Sequence, residues 1–263
     1  MKRTSTTILL LLAIGLVGLV AARATAQDVE RGKAVYDSRC VICHGDQGDG
    51  KGLIGIVHRA QTSGMVVTIY PRDFTAGVYK FRSTPSGDLP TDDDLMRIVT
   101  EGISRSGMPS HTDVSEADRQ AVISYIKTFS KRWTEEEPGT PLVIDSAPSF
   151  VASNESRVRG KDVYATMQCR KCHGDTGTGD GPSSVDLEDS WGDKILPFDF
   201  TSGPLKGGSS PEMVYRTFMT GLDGTPMPSY QDALPEEQAR WDLVSYCLEL
   251  MSGGASGDTD QDD

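Results

Sequence analysis

The chain has 263 residues, of which 37% are hydrophobic and only 7% aromatic, and its formal net charge is −12. The length suits one or two ordinary domains, but so few aromatic side chains make thin cores for domains of that size. Such acidity excludes nucleic acid and anionic lipid as partners and favours redox proteins with basic docking surfaces, since opposite charges speed association. A surface that is acidic only for solubility is the simpler alternative.

The first 26 residues have the pattern of a secretory signal peptide. Lys2 and Arg3 precede an uncharged apolar run over 8–20, and small residues at 24–26 predict cleavage before Gln27. An uncleaved membrane anchor is the alternative, but the apolar run is shorter than the ~20 residues that span a bilayer. We therefore expect a soluble mature chain in the periplasm, without a stable membrane span.

The sequence Cys-x-x-Cys-His then occurs twice, at 40–44 and at 169–173. Two thiols at this spacing can each add to one vinyl group of the same porphyrin, and the histidine that follows can bind its iron. A zinc half-site, a redox-active pair or a disulfide would use the same cysteine spacing, but none explains the adjacent histidine, followed both times by Gly-Asp. The predicted cofactors are two covalently bound haem c groups. The predicted attachment and proximal-ligand residues are Cys40, Cys43, His44, Cys169, Cys172 and His173.

The similarity between the two halves extends well beyond these motifs. Arg-Gly-Lys-x-Val-Tyr precedes each motif, and Asp-Phe-Thr follows it at 73–75 and at 199–201. Next comes a short helix in each half, one starting at 92 and closed by a glycine at 102, the other running over 211–220 and closed by a glycine at 221. Each half ends in one further helix with apolar residues at helical spacing. The chain is therefore an internal duplication.

Two methionines occupy matching Met-Pro-Ser loops, Met108 in the first half and Met227 in the second. A thioether is a soft iron ligand that raises the reduction potential, and the neighbouring prolines stiffen the loop that would hold it. Methionine is more often core filler, but filler would lie at helical spacing among apolar residues. We therefore predict His44 and Met108 as the ligands of one iron, and His173 and Met227 as those of the other.

These motifs in this order resemble a tandem class I dihaem cytochrome c, with two domains similar to mitochondrial cytochrome c. The resemblance covers essentially the whole mature chain and implies an all-α fold, with each domain wrapped round one covalent haem. It also implies that the first and last helices of each domain cross at a glycine and an aromatic residue: Gly32 with Tyr125, and Gly160 with Tyr246. Each half has a long insert between its motif and its methionine, and the loops over 65–82 and 184–206 in these inserts are not placed by the resemblance. The expected organisation is a signal peptide over 1–26, domain 1 over 27–133, a linker over 134–156, domain 2 over 157–251 and a disordered acidic tail over 252–263.

The expected function is electron transfer without catalysis, so no catalytic residue is predicted. The protein would carry single electrons from a quinol-oxidising complex or a molybdenum enzyme to a terminal oxidase or reductase of a respiratory chain. It would act as a soluble carrier or as a subunit of a larger complex. The alternative is a dihaem enzyme, a peroxidase or a thiosulfate-oxidising type, in which one iron lacks methionine. A peroxidase would have an open or labile sixth site, whereas a thiosulfate-oxidising enzyme would have a histidine or cysteine there, such as His58, His111 or Cys247. Surface positions or propionate contacts for the histidines and burial for the cysteine are the simpler expectations.

Overall fold

The protein is described by a computed structural model over residues 26–253. The predicted signal peptide up to residue 25 and the predicted tail from residue 254 lie outside the described residues. Within them no helix has the length and apolar character needed to cross a membrane. The helices are α1 over 26–39, α2 Val41–His44, α3 Asp92–Glu101, α4 Glu116–Lys127, α5 Arg132–Glu135, α6 Asn154–Thr166, α7 Arg170–His173, α8 Pro211–Thr220 and α9 Glu237–Met251. Short 3₁₀ turns lie at Ser104–Ser106, Ser149–Ala152 and Phe200–Ser202.

Capping residues define the ends of the helices that precede the methionine loops. At the start of α3 the Thr91 side chain accepts a hydrogen bond from the Asp94 backbone N–H, and the Asp94 carboxylate accepts one from the Thr91 N–H. The helix ends at Gly102, where φ is +68°. The helix α8 has proline in its first turn and ends at Gly221 with φ +67°. Both helices were predicted from the sequence and are confirmed.

The first and last helices of each half cross where glycine allows backbones to touch. A Cβ added to Gly32 would lie 2.0 Å from the Ala121 carbonyl oxygen, and one added to Gly160 would lie 1.9 Å from the Asp242 carbonyl oxygen. The predicted tyrosines flank both crossings, since the Cβ atoms of Tyr125 and Tyr246 are 3.0 and 2.8 Å from those positions. The crossing pairs are thus α1 with α4 and α6 with α9, as expected for an all-α fold of two related units.

The first insert contains the one β-sheet of the described residues, which the sequence did not predict. Strand β1, Val57–Ala60, pairs antiparallel with strand β2, Val66–Ile69. The connecting turn places Gly64 at φ +81°, a conformation that favours glycine. No hairpin occurs in the corresponding part of the second half within 26–253. The hairpin is an addition to one unit only, and its turn lies against the other unit.

The segment predicted as a linker runs along both halves. Gly139 and Leu142 donate backbone hydrogen bonds to the carbonyls of Leu89 and Ser83 in the first half, at 3.0 and 2.8 Å. Farther on, the Ser245 hydroxyl of α9 donates to the Val151 carbonyl at 2.6 Å. The chain between the halves is therefore hydrogen-bonded to both of them.

A buried arginine adds a direct connection between the halves. The Arg82 side chain is 1% exposed, and its Nη2 donates to the Thr220 carbonyl and to the Asp223 carboxylate, at 2.9 and 2.8 Å. Its remaining nitrogens donate to the carbonyls of Tyr79 and Pro85. All three nitrogens of this guanidinium donate hydrogen bonds, so it joins the two halves through polar contacts.

Candidate haem sites

The two motif histidines occupy equivalent positions at the ends of the single-turn helices α2 and α7. Nδ1 of His44 lies 3.0 Å from the Arg72 carbonyl oxygen, and Nδ1 of His173 lies 3.1 Å from the Phe198 carbonyl oxygen. A carbonyl can only accept, so Nδ1 carries the proton and Nε2 keeps its lone pair. Burial lowers the pKa of both imidazoles, which favours the neutral form. Each ring is therefore prepared to bind a metal through Nε2.

Aromatic side chains hold the two histidine rings. Phe74 stacks on His44 with ring centroids 4.5 Å apart, and Phe200 packs on His173 at 5.0 Å. Both phenylalanines belong to the repeated Asp-Phe-Thr sequence, which follows directly after the carbonyls that accept from the histidines. This sequence was recognised as a repeat, but its contact with the proximal histidines was not anticipated.

The aspartates of the same sequence connect the two halves. Oδ1 of Asp73 accepts from the N–H of Thr75, and Oδ1 of Asp199 accepts from the N–H of Thr201, so each aspartate shapes its own turn. Oδ2 of Asp73 accepts from the indole N–H of Trp191, at 3.1 Å.

Oδ2 of Asp199 makes the reciprocal contact. It accepts from the backbone N–H of Thr62, at 2.8 Å, and the neighbouring Gln61 side chain donates to the Pro197 carbonyl, also at 2.8 Å. Thr62 belongs to the hairpin turn of the first half and Trp191 to the insert of the second. The loop that orients each histidine is thus hydrogen-bonded by the insert of the other half, and we call this arrangement the crossed support.

The two methionine loops have the same backbone design. The Ser110 hydroxyl donates to the Thr100 carbonyl at 2.9 Å, and the Ser229 hydroxyl donates to the Met219 carbonyl at 2.6 Å. Gly102 and Gly221 lie against these loops so closely that a Cβ on either would meet the backbone of the Met-Pro-Ser segment at 2.4–2.7 Å. The loops that carry Met108 and Met227 are therefore held by equivalent contacts in both halves.

In the second half, the predicted haem residues line one cavity. Its volume is about 820 Å³, within the ~300–1,000 Å³ of ordinary ligand sites. Its walls include Cys169, Cys172, His173 and Met227, as well as apolar side chains such as Phe218 and Leu243. Two thiols, an imidazole with a free Nε2 and a thioether around one apolar space fit a covalently held haem. The corresponding residues of the first half lie on equivalent elements.

None of the five cysteines forms a disulfide. Burial raises the pKa of Cys40 and of Cys169 to about 11, so both are neutral thiols at neutral pH. Cys247 is buried in the core and lines the second cavity, and burial raises the pKa of its thiol as well. The expectation that Cys247 is buried is confirmed.

The two remaining histidines differ in their surroundings. His58 is exposed on β1, with Nδ1 3.1 Å from the Thr68 hydroxyl. His111 is partly buried just after the first methionine loop, and burial lowers the pKa of its imidazole. The position of His58 agrees with the surface role expected from the sequence.

The surfaces beside the two motifs differ in chemistry. Next to the first motif, Ile42, Leu53 and Ile54 are 47%, 93% and 56% exposed. Next to the second motif Arg170, Lys171 and Val185 are exposed. The exposed Ile42 of the first motif thus corresponds to the cationic Lys171 of the second, although the backbone hydrogen bonds that form the two surfaces are equivalent.

Comparison with known proteins agrees with the duplication. The family model described as "Cytochrome C oxidase, cbb3-type, subunit III" matches residues 27–126 and again 156–246. A chain of the Kuenenia stuttgartiensis reducing HAO-like protein complex is 41% identical, with a TM-score of 0.75 over 84% of this chain and 96% of that one. No curated protein matches the sequence significantly. The two family matches confirm a tandem arrangement of cytochrome c units.

Proposed function

Because the chain belongs to the cytochrome c family whose model is described as cytochrome c oxidase, cbb3-type, subunit III, we propose that it is a periplasmic dihaem electron-transfer protein. Haem c supplies one-electron exchange between Fe(III) and Fe(II). The observation that carries the proposal is the repeated set of two thiols, a histidine with free Nε2 and a methionine loop. In the second half this set lines one cavity.

The chain's own residues have distinct tasks in this proposal. Cys40, Cys43, Cys169 and Cys172 would hold the two haems through thioethers, and His44 and His173 would bind the irons through Nε2. The carbonyls of Arg72 and Phe198 keep the proton on Nδ1 and set the ring orientation. Met108 and Met227 would supply thioether ligands to the irons, which would raise both potentials and exclude small ligands.

We propose domain 1 over 27–133 and domain 2 over 157–251, joined by the segment over 134–156 and preceded by a cleaved signal peptide. The likeness to a chain from a HAO-like protein complex favours a cytochrome that works as a subunit or tight partner of a larger redox complex. Its other partner would be a respiratory donor or acceptor with a basic docking surface, since the chain is acidic overall. The different surfaces around the two motifs suit different proteins for electron entry and electron exit.

Substitution of each methionine by histidine tests the ligand set. Met108→His and Met227→His should each lower one reduction potential and leave the other nearly unchanged, because imidazole favours Fe(III) more than a thioether does. The parent protein should contain two haems. Its Met–Fe(III) charge-transfer band should have the intensity expected for two methionine-ligated haems. The matched control is Met213→His in α8, outside both methionine loops.

The same samples separate the electron carrier from an enzyme. Rapid binding of carbon monoxide to the reduced parent, or a charge-transfer band of one haem only, would show an open or different sixth site. Either result would favour the peroxidase or thiosulfate-oxidising alternative.

A further inference from the structure

Cationic side chains from both halves meet at the cavity of the second haem site. Arg59, Arg72, Lys80 and Arg105 come from the first half and Lys206 from the second, and all five line this cavity. Within 26–253 none of them has a carboxylate oxygen within 4.0 Å. In a chain with a net charge of −12, five unpaired cations around one cavity require an explanation. We call these five residues the junction cluster.

Arg105 is fixed in the second half although it belongs to the first. Its Nη1 and Nη2 donate to the carbonyl and hydroxyl of Ser202, both at 2.6 Å, and its Cζ lies 5.2 Å from the centre of the Phe198 ring. The Nε atoms of Arg105 and of Arg59 are buried and have no hydrogen-bond partner in the structure. Both guanidiniums therefore keep unused donor capacity beside the cavity.

The two lysines show that these charges interact with one another. Lys80 and Lys206 occupy the same position of the repeat, five residues after Asp-Phe-Thr. Burial, and then the neighbouring charges of Arg105 and Arg59, lower the pKa of Lys206 to about 8. Burial, and then the charges of Arg72 and Lys206, lower the pKa of Lys80 to about 8. Like charges this close are costly unless an anion is bound among them.

Two of the carboxylates that line the same cavity accept hydrogen bonds from other groups. Asp199 accepts from Thr201 and Thr62, as described above, and Oδ1 of Asp189 accepts from the backbone N–H groups of Trp191 and Asp193. Asp189 and Asp193 raise the pKa of Lys80 only as the smallest contributions. These acids moderate the charge of the cluster without pairing with it.

We propose that the junction cluster binds the carboxylates of the haem in the second cavity, with Arg59 and Arg105 reaching it from the other half of the chain. The inference rests on the haem binding proposed above. A haem c group carries two carboxylates, and arginine and lysine are the side chains that bind such groups most strongly. The cluster shares its cavity with Cys169, Cys172 and His173, so a haem held there would bring its carboxylates within the same walls. The first half would then complete the cofactor site of the second.

The test is a spectroelectrochemical titration of the haem-loaded protein. Lys206→Met and Arg105→Gln each remove a positive charge, which should disfavour the reduced iron and lower one of the two potentials. We expect the equilibrium constant for reduction of that haem to fall at least tenfold, which is about 59 mV for one electron. Lys206→Arg keeps the charge, so the equilibrium constant for reduction of that haem should stay within twofold of the parent's.

Lys194→Met is the matched control. It removes one charge from the same insert, but Lys194 is 65% exposed, is paired with Glu188 and does not line the cavity. In this variant the equilibrium constants for reduction of both haems should stay within twofold of the parent's. Unchanged potentials in Lys206→Met and in Arg105→Gln, with two haems still bound, would overturn the proposal.

Two further readouts separate the possible outcomes. Loss of one haem in Lys206→Met but not in Lys206→Arg would support the carboxylate site, because arginine keeps the positive charge and the donors that methionine lacks. A shift of the parent's potential on addition of inorganic phosphate would overturn it, because the cluster would then be free to bind soluble anions. A parent protein that holds fewer than two haems would contradict the proposed function itself, a result that haem quantification gives independently of any potential.

Discussion

Replacing Gly160 with alanine should destabilise the protein strongly. In an isolated helix alanine stabilises the helix by about 1 kcal/mol relative to glycine, so helix propensity alone predicts that the variant is more stable. At the crossing of α6 and α9, however, the new Cβ would lie 1.9 Å from the Asp242 carbonyl oxygen and 2.8 Å from the Tyr246 Cβ. Ordinary contacts begin near ~3.5 Å, so the helices must separate by roughly 1.5 Å.

The size of the loss follows from what the separation disturbs. Forcing extra volume into a packed contact costs about 1–3 kcal/mol. The same movement stretches the hydrogen bond from the Ser156 hydroxyl to the Asp242 carboxylate and the one from Ser245 to the Val151 carbonyl. Each contributes roughly 0.5–1.5 kcal/mol. After the gain in propensity, we expect a net loss of about 2–3 kcal/mol, or roughly 10–20 °C in Tm for a domain of this size.

The assay is unfolding of the haem-loaded protein by heat and by guanidinium chloride, followed by circular dichroism and by haem absorbance. Lys161→Ala is the control, because it is the next residue of the same helix, is exposed and should change stability by less than about 0.5 kcal/mol. Gly160→Ala with a stability equal to or above the parent's would refute the argument that this glycine is required by the contact.

Three further predictions concern polar groups. Burial alone would raise the pKa of Asp242, but hydrogen bonds from Arg159 and Ser156 outweigh it and the pKa is lowered. The stabilisation should therefore be complete above about pH 4 and be lost as the pH falls through the folded-state value. The urea midpoint, measured as a function of pH, should show this acid-dependent loss of stability in the parent. The loss should be absent from Asp242→Asn. Asp199→Ala removes the acceptor for Thr62 and should change one reduction potential, measured by redox titration, through the loop that orients a proximal histidine. Arg82→Met removes the cation paired with Asp223 and the donor to the carbonyls of Tyr79, Pro85 and Thr220, so chemical denaturation should show a loss of about 3–5 kcal/mol.

Features that repeat along the chain were predictable from the sequence. The helices α3 and α8 and their terminal glycines depend on local signals that occur twice, and the close crossings at Gly32 and Gly160 were implied by the resemblance to class I cytochrome c. The motif residues belong to the same group, because thioether chemistry constrains them to five consecutive positions. Their roles as attachment residues and iron ligands remain predictions.

The contacts between the halves were not predictable in the same way. Trp191 lies in an acidic loop outside every repeated motif, and its partner Asp73 lies far away in sequence. The hairpin β1–β2 is short, has no counterpart in the second half within the described residues and pairs residues of mixed polarity. Such features depend on how two folded units pack against each other. Neither the hydrophobic periodicity nor the motif spacing of the sequence predicts those contacts.

The crossed support has a consequence for the history and the engineering of this chain. Two copies that arose by duplication normally remain separable, and either can be expressed or lost alone. Here the loop behind His44 is hydrogen-bonded by the insert that carries Trp191, and the loop behind His173 by the turn that carries Thr62. Each copy thus takes part of the surroundings of its motif histidine from the other copy. A single half would lack these hydrogen bonds, so we expect the two halves to be more stable together than apart.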